Sequence, residues 1–560
     1  MNKKYIYSLL ASMLLISQAS FSQGVPMPDT VELDEIILSL PFNQDRGKSV
    51  IKVNKINLNG INPILKSYIS KSISKLPGIS LITTGPGIAK PSIRGLSASR
   101  VIIYNQGVRL ENHQWGDEHG VGVSTSGISS VELIKGPAYV LYGSDAMGGV
   151  LYIEPERYSS DFSVDYMGIY NSNYSGITNN LGLKGSSGDF SYVLRGNMTD
   201  NQNFSTPDGE VENTWLQEYD FQGGLKYESE KFSSDLRLSV NISELGIPEG
   251  EEGHDDHDDH EGHDDHDDHE GHDDHEGHYQ ELSHTMLTWK NNFDLGNNHD
   301  LEITLGRQFN ERKEFGGHGE EEGHEGHDDH EGHDDHDDHG HGGSGAELDM
   351  DLTTNTIDIA LTMPQSDNFN MILGSNILSQ ENKNFGFEEL IPDADMNDFG
   401  VYGLGQITME NGSALIGVRY DSRSIKSEKG SADFSNFNGS IGLKRDLGNA
   451  SLRLNLGSGY RAPNLIELFA EGIHHGTFRY ERGNPNLEAE TSFQSEISLD
   501  LTGEDSSFAF DLFYNDISNY IYVAPSNQNV DGYKLYNFLQ QDATLWGSEI
   551  IYSKQTGIEW

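Results

Sequence analysis

The sequence predicts an all-β transmembrane barrel with a compact α+β domain on its N-terminal side, and three observations support this fold class. From about residue 160 onward, polar and apolar residues alternate in segments of about ten residues that are rich in aromatic side chains. Short turns and long loops alternate between these segments, as they do between the strands of a membrane barrel. A mean hydropathy of -0.57 and the lack of any later apolar run of about 18 residues exclude a helical multi-pass membrane protein.

The composition narrows the classes of function. The 560 residues include 89 Asp and Glu, 37 Lys and Arg and no Cys, for a net charge of -52. This charge argues against a nucleic-acid partner, whose phosphates need basic side chains, and the lack of Cys excludes disulfide scaffolds and thiolate metal sites. The acidic excess is local, because residues 249–278 hold 16 acids and residues 318–341 hold 11, without Lys or Arg in either stretch.

Residues 1–22 have the pattern of a secretory signal peptide. Lys3 and Lys4 precede an apolar stretch, Tyr5–Ile16, that is too short to span a bilayer, and the small residues Ser20 and Ser22 precede the expected cleavage site. The alternative is an N-terminal anchor. We expect an exported chain without a helical membrane anchor.

Residues 45–156 are expected to form the compact mixed domain, after a segment over residues 23–44 that serves as a linker. Apolar residues recur at helical spacing over Ile64–Leu76, and the pattern ends at the following Pro-Gly pair. Val101–Tyr104 and Val131–Ile134 are short runs rich in β-forming residues. The domain is therefore expected to mix at least one helix with short strands.

Residues 157–560 are expected to form the barrel, with about sixteen strands. Leu236, Leu238, Val240 and Ile242 share one face of the segment Phe232–Leu245, and polar residues occupy the other face. A soluble sandwich would not need so many long strands in series, and a propeller would show blade repeats. Because a barrel must close in lipid, either sixteen strands close it or the sequence lacks its C-terminal strands, and we expect the second case.

The connections predict which side of the membrane each loop faces. Long loops are expected at about residues 200–215, 246–281, 316–346, 382–397, 425–434, 461–489 and 522–534, with short turns between them. Outer-membrane barrels have short periplasmic turns and long extracellular loops, so all of these loops are expected outside the cell. Both acidic stretches lie in such loops.

Histidine is concentrated in the same two loops, which hold 17 of the 23 His residues. The first tract has a His at every third position, namely His254, His257, His260, His263, His266, His269, His272, His275 and His278. The second tract, flanked by His318 and His341, contains His324, His327, His330, His333, His336 and His339. Neutral imidazole and carboxylate together suit Zn²⁺, Ni²⁺, Co²⁺ and Cu²⁺, so we expect reversible capture of a divalent ion. The alternative is that the tracts are solvated spacers or variable loops without a role in cargo binding.

A second group of candidate ligands lies outside the tracts. In the mixed domain these are His113, Asp117, Glu118 and His119. In the expected loop at 461–489 they are His474 and His475. Both groups are expected at the extracellular mouth, where a few such ligands at about 2.0–2.2 Å from one ion would form a discrete tetrahedral site.

Several motifs resemble those of TonB-dependent outer-membrane receptors over nearly the whole chain. The segment that resembles the TonB box, which these receptors offer to an energy-coupling protein in the periplasm, comprises Val31, Glu32, Leu33, Asp34, Glu35, Ile36, Ile37 and Leu38. Motifs similar to those of the family's plug domain are Leu76-Pro-Gly-Ile79, Ile93-Arg-Gly95, Val131-Glu-Leu-Ile-Lys-Gly-Pro137 and Leu141-Tyr-Gly-Ser144. Motifs similar to those of the family's barrel are Tyr460-Arg-Ala-Pro463, Glu467-Leu-Phe469 and Gly483-Asn-Pro-Asn-Leu487. The resemblance implies a barrel of about 22 strands, so about six would be missing here.

Among these receptors, the chain is most similar to the outer-membrane zinc receptors. Those receptors have a His/Asp-rich loop above an acid–His pair in the plug and a His in a barrel loop. Glu118-His119 corresponds to the pair, although the acid there is typically Asp, and His474 or His475 corresponds to the barrel-loop His. One departure from the family is Asn105-Gln-Gly107, where the plug usually has Asp-Gly.

The resemblance implies an importer of Zn²⁺ as cargo, with Ni²⁺, Co²⁺ and Cu²⁺ sharing the same ligand chemistry. It also implies a monomer in the lipid of the bacterial outer membrane that couples to a TonB-type protein and has no nucleic-acid partner. No nucleophile elbow, P-loop or catalytic triad spacing is found, so an enzyme is not expected. Two alternatives stay open: a receptor for haem or a metal chelate, and a metal-binding surface protein that transports nothing.

Overall fold

The computed structural model describes Ser39 and residues 49–58, 72–74, 76–85, 88–112, 123, 126–136, 139–248, 277–316, 346–366, 368–386, 389–474, 477 and 479–555. The predicted signal peptide, the predicted TonB box, most of both His tracts and most of the helix expected over Ile64–Leu76 lie outside these residues.

The N-terminal domain is built around a five-stranded sheet that fills the barrel. Its strands are β1 (Val53–Asn57), β4 (Val101–Asn105), β5 (Val108–Arg109), β6 (Ile128–Ile134) and β7 (Gly149–Pro155), in the order β1-β6-β7-β4-β5. A separate hairpin pairs β2 (Ile79–Gly85) with β3 (Ile88–Ile93), and the helical turns are a 3-10 helix over Ala98–Arg100 and α1 over Tyr139–Tyr142. Every residue of β6 is buried, because β1 and β7 flank it on both sides within the core. The strands predicted over Val101–Tyr104 and Val131–Ile134 are confirmed.

Sixteen long strands form the wall of the barrel in the described part of the chain. They are β8 (Ser163–Asn171), β9 (Gly176–Ser187), β10 (Phe190–Asn201), β13 (Leu216–Glu228), β14 (Phe232–Gly246), β15 (Tyr279–Gly296), β16 (His299–Phe315), β17 (Leu348–Ser366), β18 (Phe369–Asn384), β19 (Ala394–Met409), β20 (Gly412–Ser427), β21 (Gly430–Leu447), β22 (Ala450–Arg461), β25 (Glu490–Thr502), β26 (Ser506–Val530) and β27 (Tyr533–Lys554). Antiparallel ladders join each strand to the next from β8 to β27, and the strand order closes the barrel with β27 beside β8. The predicted number of strands is confirmed.

Three short elements lie in the long loops. A hairpin of β11 (Phe204–Thr206) and β12 (Gly209–Val211) follows β10. Helix α2 (Leu465–Phe469) and a hairpin of β23 (Glu471–His474) and β24 (Arg479–Arg482) lie between β22 and β25. Strand β24 runs parallel to β27, so this hairpin is fixed against the barrel rim.

The two faces of each wall strand differ as the alternation predicts. Leu236 and Ile242 of β14 are 41% and 47% exposed on the lipid face, whereas Asn241 between them is buried in the lumen. In β26, Leu512 is exposed and Asp511 is buried. An apolar outer face and a polar inner face are what a barrel needs in lipid. Among the described helices, none has the length and apolar composition that crossing a bilayer requires.

The connections confirm the predicted alternation of short turns and long loops, with two corrections. The regions predicted as long loops at 425–434 and 522–534 are mostly strand, because β20 and β21 are separated by two residues and so are β26 and β27. The second of these turns is tight, since Asp531 and Gly532 both have positive φ, at 50° and 86°. The predicted loops fall on polar strand ends that extend beyond the membrane, and such ends have the composition of loops.

Candidate functional site

Few of the predicted metal ligands fall within the described residues. His278 and His474 do, whereas His475 and the plug candidates do not; those are His113, Asp117, Glu118 and His119. The tract residues His254–His275 and His324–His339 also lie outside the described residues. Across the part of the chain that the structure describes, no three His, Asp or Glu side chains are grouped closely enough to hold a metal ion.

His474 lies in the β23–β24 hairpin at the long-loop side of the barrel. Its side chain is buried, and its Nδ1 lies 3.1 Å from Oε1 of Glu481 in β24. Nε of Arg479 donates to the same oxygen at 2.5 Å. Burial raises the pKa of Glu481, but the charges of His474 and Arg479 outweigh this effect and hold the pKa below its usual value. An ion that used this carboxylate would have to compete with Arg479.

Residues 110–112, which we call the plug apex, are held against the barrel wall through Glu111. The backbone N–H of Glu111 donates to Oε1 of Gln308 at 3.2 Å, and Nδ2 of Asn310 donates to the Glu111 carbonyl at 3.1 Å. The Glu111 carboxylate pairs with Arg109. Burial raises the pKa of Glu111 despite the nearby positive charge of Arg109. The predicted ligand His113 follows two residues later in the chain, so the wall fixes the point from which that segment starts.

Four charged residues join the plug to the wall at the short-turn side, and we call them the anchor cluster: Arg94, Lys135, Glu496 and Glu549. Arg94 lies 2.9 Å from Glu496 and 2.8 Å from Glu549, and Lys135 lies 2.6 Å from Glu549. All four side chains are at most 10% exposed. The two positive and two negative charges of the cluster cancel. Buried charges are tolerated when they are paired in this way.

A second charged cluster lies at the start of the long loop after β22. Arg461 donates to Glu467 and Glu490, at 2.8 Å in each case, and Arg100 of the plug pairs with the same Glu490. The Glu467 carboxylate also accepts a hydrogen bond from the backbone N–H of Asn464, the residue that caps α2. These contacts give a structural reason for the motifs at 460–463 and 467–469.

Ser39 connects the N-terminal segment to the plug core. Its backbone N–H donates to Oε2 of Glu132 at 2.9 Å, and its carbonyl accepts from the hydroxyl of Tyr142. Lys55 lies 2.8 Å from Glu132 on the other oxygen. Ser39 directly follows residues 31–38, the predicted TonB box, and its described contacts are with β6 and α1.

A cavity of about 1070 Å³ lies between the plug and the wall on the short-turn side. Its lining includes Gln106 and Glu154 of the plug and Thr288, Glu302 and Asp358 of the wall. Burial and the negative charge of Glu132 raise the pKa of Glu154 to about 7.

Most of the charged contacts between plug and wall were not predicted from the sequence. Arg94 and Lys135 lie in motifs that resemble those of the plug family, but nothing indicated their partners Glu496 and Glu549. The available signal was a charge at a lumen-facing position of a strand, since such a charge needs a partner from the plug. Glu481 does not follow this rule, because its partners His474 and Arg479 belong to the same hairpin.

Two family models match the chain. "TonB dependent receptor-like, beta-barrel" matches residues 154–560, and "TonB-dependent Receptor Plug Domain" matches residues 50–150. Among curated proteins, the vitamin B12 transporter BtuB of Photobacterium profundum is 28% identical over 154 residues, which are 27% of this chain and 25% of that protein. The matched stretch thus spans about a quarter of the relative's length.

Solved structures show the same fold at low identity. The copper transporter OprC has a TM-score of 0.71 at 15% identity, covering 90% of this chain and 76% of that chain. The hemophore receptor HasR of Serratia marcescens, solved with its hemophore HasA and heme, has a TM-score of 0.70 at 10% identity, covering 92% and 81%. The FrpB iron transporter of Neisseria meningitidis (F5-1 variant) has a TM-score of 0.69 at 14% identity, covering 90% and 78%.

The family models cover most of the chain, and the change from one to the other falls within β7, the last strand of the plug sheet before the barrel begins. Members of this family are receptors and not enzymes, and their barrels lie in the bacterial outer membrane. The β-barrel that surrounds a plug, the anchored plug and both family matches show that the chain belongs to the family of TonB-dependent receptors.

Proposed function

We propose that this receptor imports a divalent metal ion, with Zn²⁺ as the leading cargo. The observation that carries the proposal is the concentration of 17 of the 23 His residues, with 27 acids, in two loops. Strands β14 to β17 are consecutive in the wall, so both loops start from neighbouring positions on the same rim. Imidazole and carboxylate ligands favour borderline divalent ions, and the acids concentrate cations near the mouth.

Zinc is proposed on ligand chemistry and on the sequence resemblance. The related proteins carry copper, iron, haem and vitamin B12 in their names, so the fold is compatible with several metal cargoes. Affinity for N/O ligands rises toward Cu²⁺ in the divalent series, so ligand type alone does not rank Zn²⁺ above Cu²⁺, Ni²⁺ or Co²⁺. The residues proposed to form the discrete site beneath the tracts are His113, Asp117, Glu118, His119, His474 and His475.

Energy coupling is proposed to act through the N-terminus. A TonB-type protein in the periplasm would bind residues 31–38 as an added strand and pull on them. The first described contacts on this line are those of Ser39 with Glu132 and Tyr142. Loss of these contacts would free the N-terminal segment from the plug core before the pulling force reaches the anchor cluster.

The test is metal accumulation in cells with and without the gene, measured for zinc, copper, nickel and cobalt in the same experiment. We expect zinc to fall most in the strain that lacks the gene under metal limitation. Equal accumulation of all four metals in both strains would reject the proposal.

Deletion of residues 31–38 separates an importer from a passive metal-binding surface protein. An importer keeps metal binding at the cell surface and loses uptake, whereas a passive binder is unaffected.

Haem is the second candidate cargo, because the HasR structure was solved with heme and shares this fold. Growth on haem as the iron source that depends on this gene, without any zinc phenotype, would favour haem.

A further inference from the structure

The lumen face of β15 carries several side chains of types that can bind metals, and the strand follows the last His of the first tract in the chain. His278 precedes the strand, and Gln280, His284 and Met286 follow at even positions. Gln280, His284 and Met286 are 0%, 8% and 0% exposed. Leu287, on the opposite face, is 43% exposed to lipid. The strand therefore presents amide, imidazole and thioether groups to the interior.

Gln280 is a fully buried polar side chain on this face. Both amide atoms of Gln280 are buried, and neither has a hydrogen-bond partner in the described part of the chain. Burial of an unsatisfied amide is unfavourable, and buried polar groups without partners are rare in folded proteins. Its neighbours across the ladders are Leu245 on β14 and Glu314 on β16.

His284 lies beside the plug apex. In the ladders it stands between Asn241 of β14 and Asn310 of β16. Asn310 is the residue whose Nδ2 donates to the Glu111 carbonyl at 3.1 Å. One strand position thus places a buried imidazole next to the contact that holds the apex to the wall.

Below His284 the plug closes against the same strand. Nδ2 of Asn105 contacts Sδ of Met286 at 4.0 Å, and Oγ1 of Thr288 donates to Oε1 of Gln106 at 3.1 Å. Thr288 pairs with Gly306 of β16, where a Cβ would lie only 2.7 Å from Cγ1 of Val108. The β4–β5 turn therefore seals the gap between plug and wall at this height.

The large cavity begins directly beneath this seal. Gln106 and Thr288 line it, together with Glu302 and Glu154, and it extends to residues at the short β15–β16 turn such as Asn298. The seal is thus a thin partition between the imidazole above and a space on the short-turn side that is lined by both acidic and basic side chains.

We propose that imported metal cations pass along the lumen face of β15, with His284 as the wall ligand above and the β4–β5 turn (Asn105–Val108) as the gate. This inference rests on the proposed function. It adds the route, one ligand and the segment that must move. A displacement of two turn residues away from Met286 and Thr288 would connect the two sides without removal of the whole plug.

The first test compares His284→Gln with His299→Gln in the full-length receptor. His299 is the matched control, because its ring lies at the short turn near the carbonyls of Gly296 and Asn297. With equal amounts of folded receptor in the outer membrane, measured by heat-modifiable mobility, we expect His284→Gln to lower ⁶⁵Zn uptake at least tenfold. Surface binding of zinc by both variants should match that of the wild type. Zinc uptake by His299→Gln should also match the wild type. Wild-type uptake by both variants would overturn the route, whereas no metal uptake by the wild type would reject the proposed function instead.

The second test closes the gate reversibly. The chain contains no Cys, so Asn105→Cys with Met286→Cys gives a single pair that a short bifunctional thiol reagent can cross-link. The control pair, Ser126→Cys with Gln222→Cys, joins the plug to β13, where Gln222 donates to the Ser126 carbonyl at 2.7 Å. We expect the first cross-link to stop uptake, with recovery on reduction, and the control cross-link to leave uptake unchanged. Uptake through the first cross-linked pair, or equal block by both, would overturn the assignment to β15.

Discussion

Two glutamates show how strongly the surroundings of a residue determine its charge. Glu154 of the plug is buried near Glu132, and its pKa is raised to about 7. Glu481 of the rim hairpin is also buried, but His474 and Arg479 hold its pKa below the usual value. One carboxyl group therefore favours its neutral form in the folded protein, and the other favours its charged form.

The two groups predict opposite effects of pH on local stability. Because the pKa of Glu154 is raised on folding, its contribution is fully present below the unfolded pKa of about 4.3 and is lost as pH rises through about 7. Glu154→Gln should therefore slow hydrogen exchange of β7 amides at pH 8, on the order of tenfold, with little effect at pH 4. Exchange rates of Glu154→Gln that equal those of the wild type at pH 8 would contradict the raised pKa. Glu481→Gln should have the reverse signature, with faster exchange of the hairpin at pH 8, because a lowered pKa contributes stability above the unfolded value and loses it as pH falls.

His474 makes a separate prediction about metal affinity. In a receptor from which residues 251–276 and 320–341 are deleted, only the discrete site should bind zinc tightly. His474→Gln should then weaken binding about 10–100-fold by titration calorimetry, as loss of a ligand or its partner usually does. His284 is left intact in this variant. Unchanged affinity would remove His474 from the proposed site.

Strands and turns from distant parts of the chain hold the plug in place together. The anchor cluster draws Arg94 from the turn after β3, Lys135 from the end of β6, and Glu496 and Glu549 from β25 and β27. Each acid occupies a lumen-facing position, so the strand register decides whether it can reach the plug. A shift by one residue would turn both acids into lipid.

Removal of one anchor acid should loosen the plug. Glu549→Gln leaves Lys135, which is 4% exposed, without its carboxylate, and breaking a buried pair in this way costs about 3–5 kcal/mol. We expect larger passive conductance of the purified receptor in planar bilayers and greater sensitivity of cells to large antibiotics. The control is Lys383→Met, which breaks the exposed Lys383–Glu381 pair and should change neither measurement. Conductance that is identical in wild type, Glu549→Gln and Lys383→Met would contradict a holding role for the cluster.

Taken as one unit, the barrel and its plug would separate capture from selection under the proposed function. The described strand ends that flank the two His tracts in the chain lie at the long-loop rim, whereas the plug contacts and the cavity lie inside or on the short-turn side. Such a division suits a receptor that first raises the local concentration of an ion and then admits it through a closed passage.

The tracts should determine capture at low metal concentration and at neutral pH. Imidazole binds metal only when neutral, with an unperturbed pKa of about 6.5, so surface capture should fall steeply from about pH 7.5 to 5.5. Deletion of both tracts should lower zinc uptake at limiting zinc and have little effect at saturating zinc. Capture that does not depend on pH, or uptake that is equally reduced at all zinc concentrations, would argue against this role.

Local patterns in the chain were enough to predict the fold class, the strand number, the faces of the strands and the rim from which the His tracts start. These properties can be predicted because alternation with period two and the lengths of connections are visible among neighbouring residues. The partners of Arg94, the carboxylate beside His474, the place of His284 and the seal at Asn105–Val108 emerged only from the folded arrangement. They depend on strand register and on how the plug is seated, which bring together residues as far apart as Arg94 and Glu549, and neighbouring residues carry no information about such pairings.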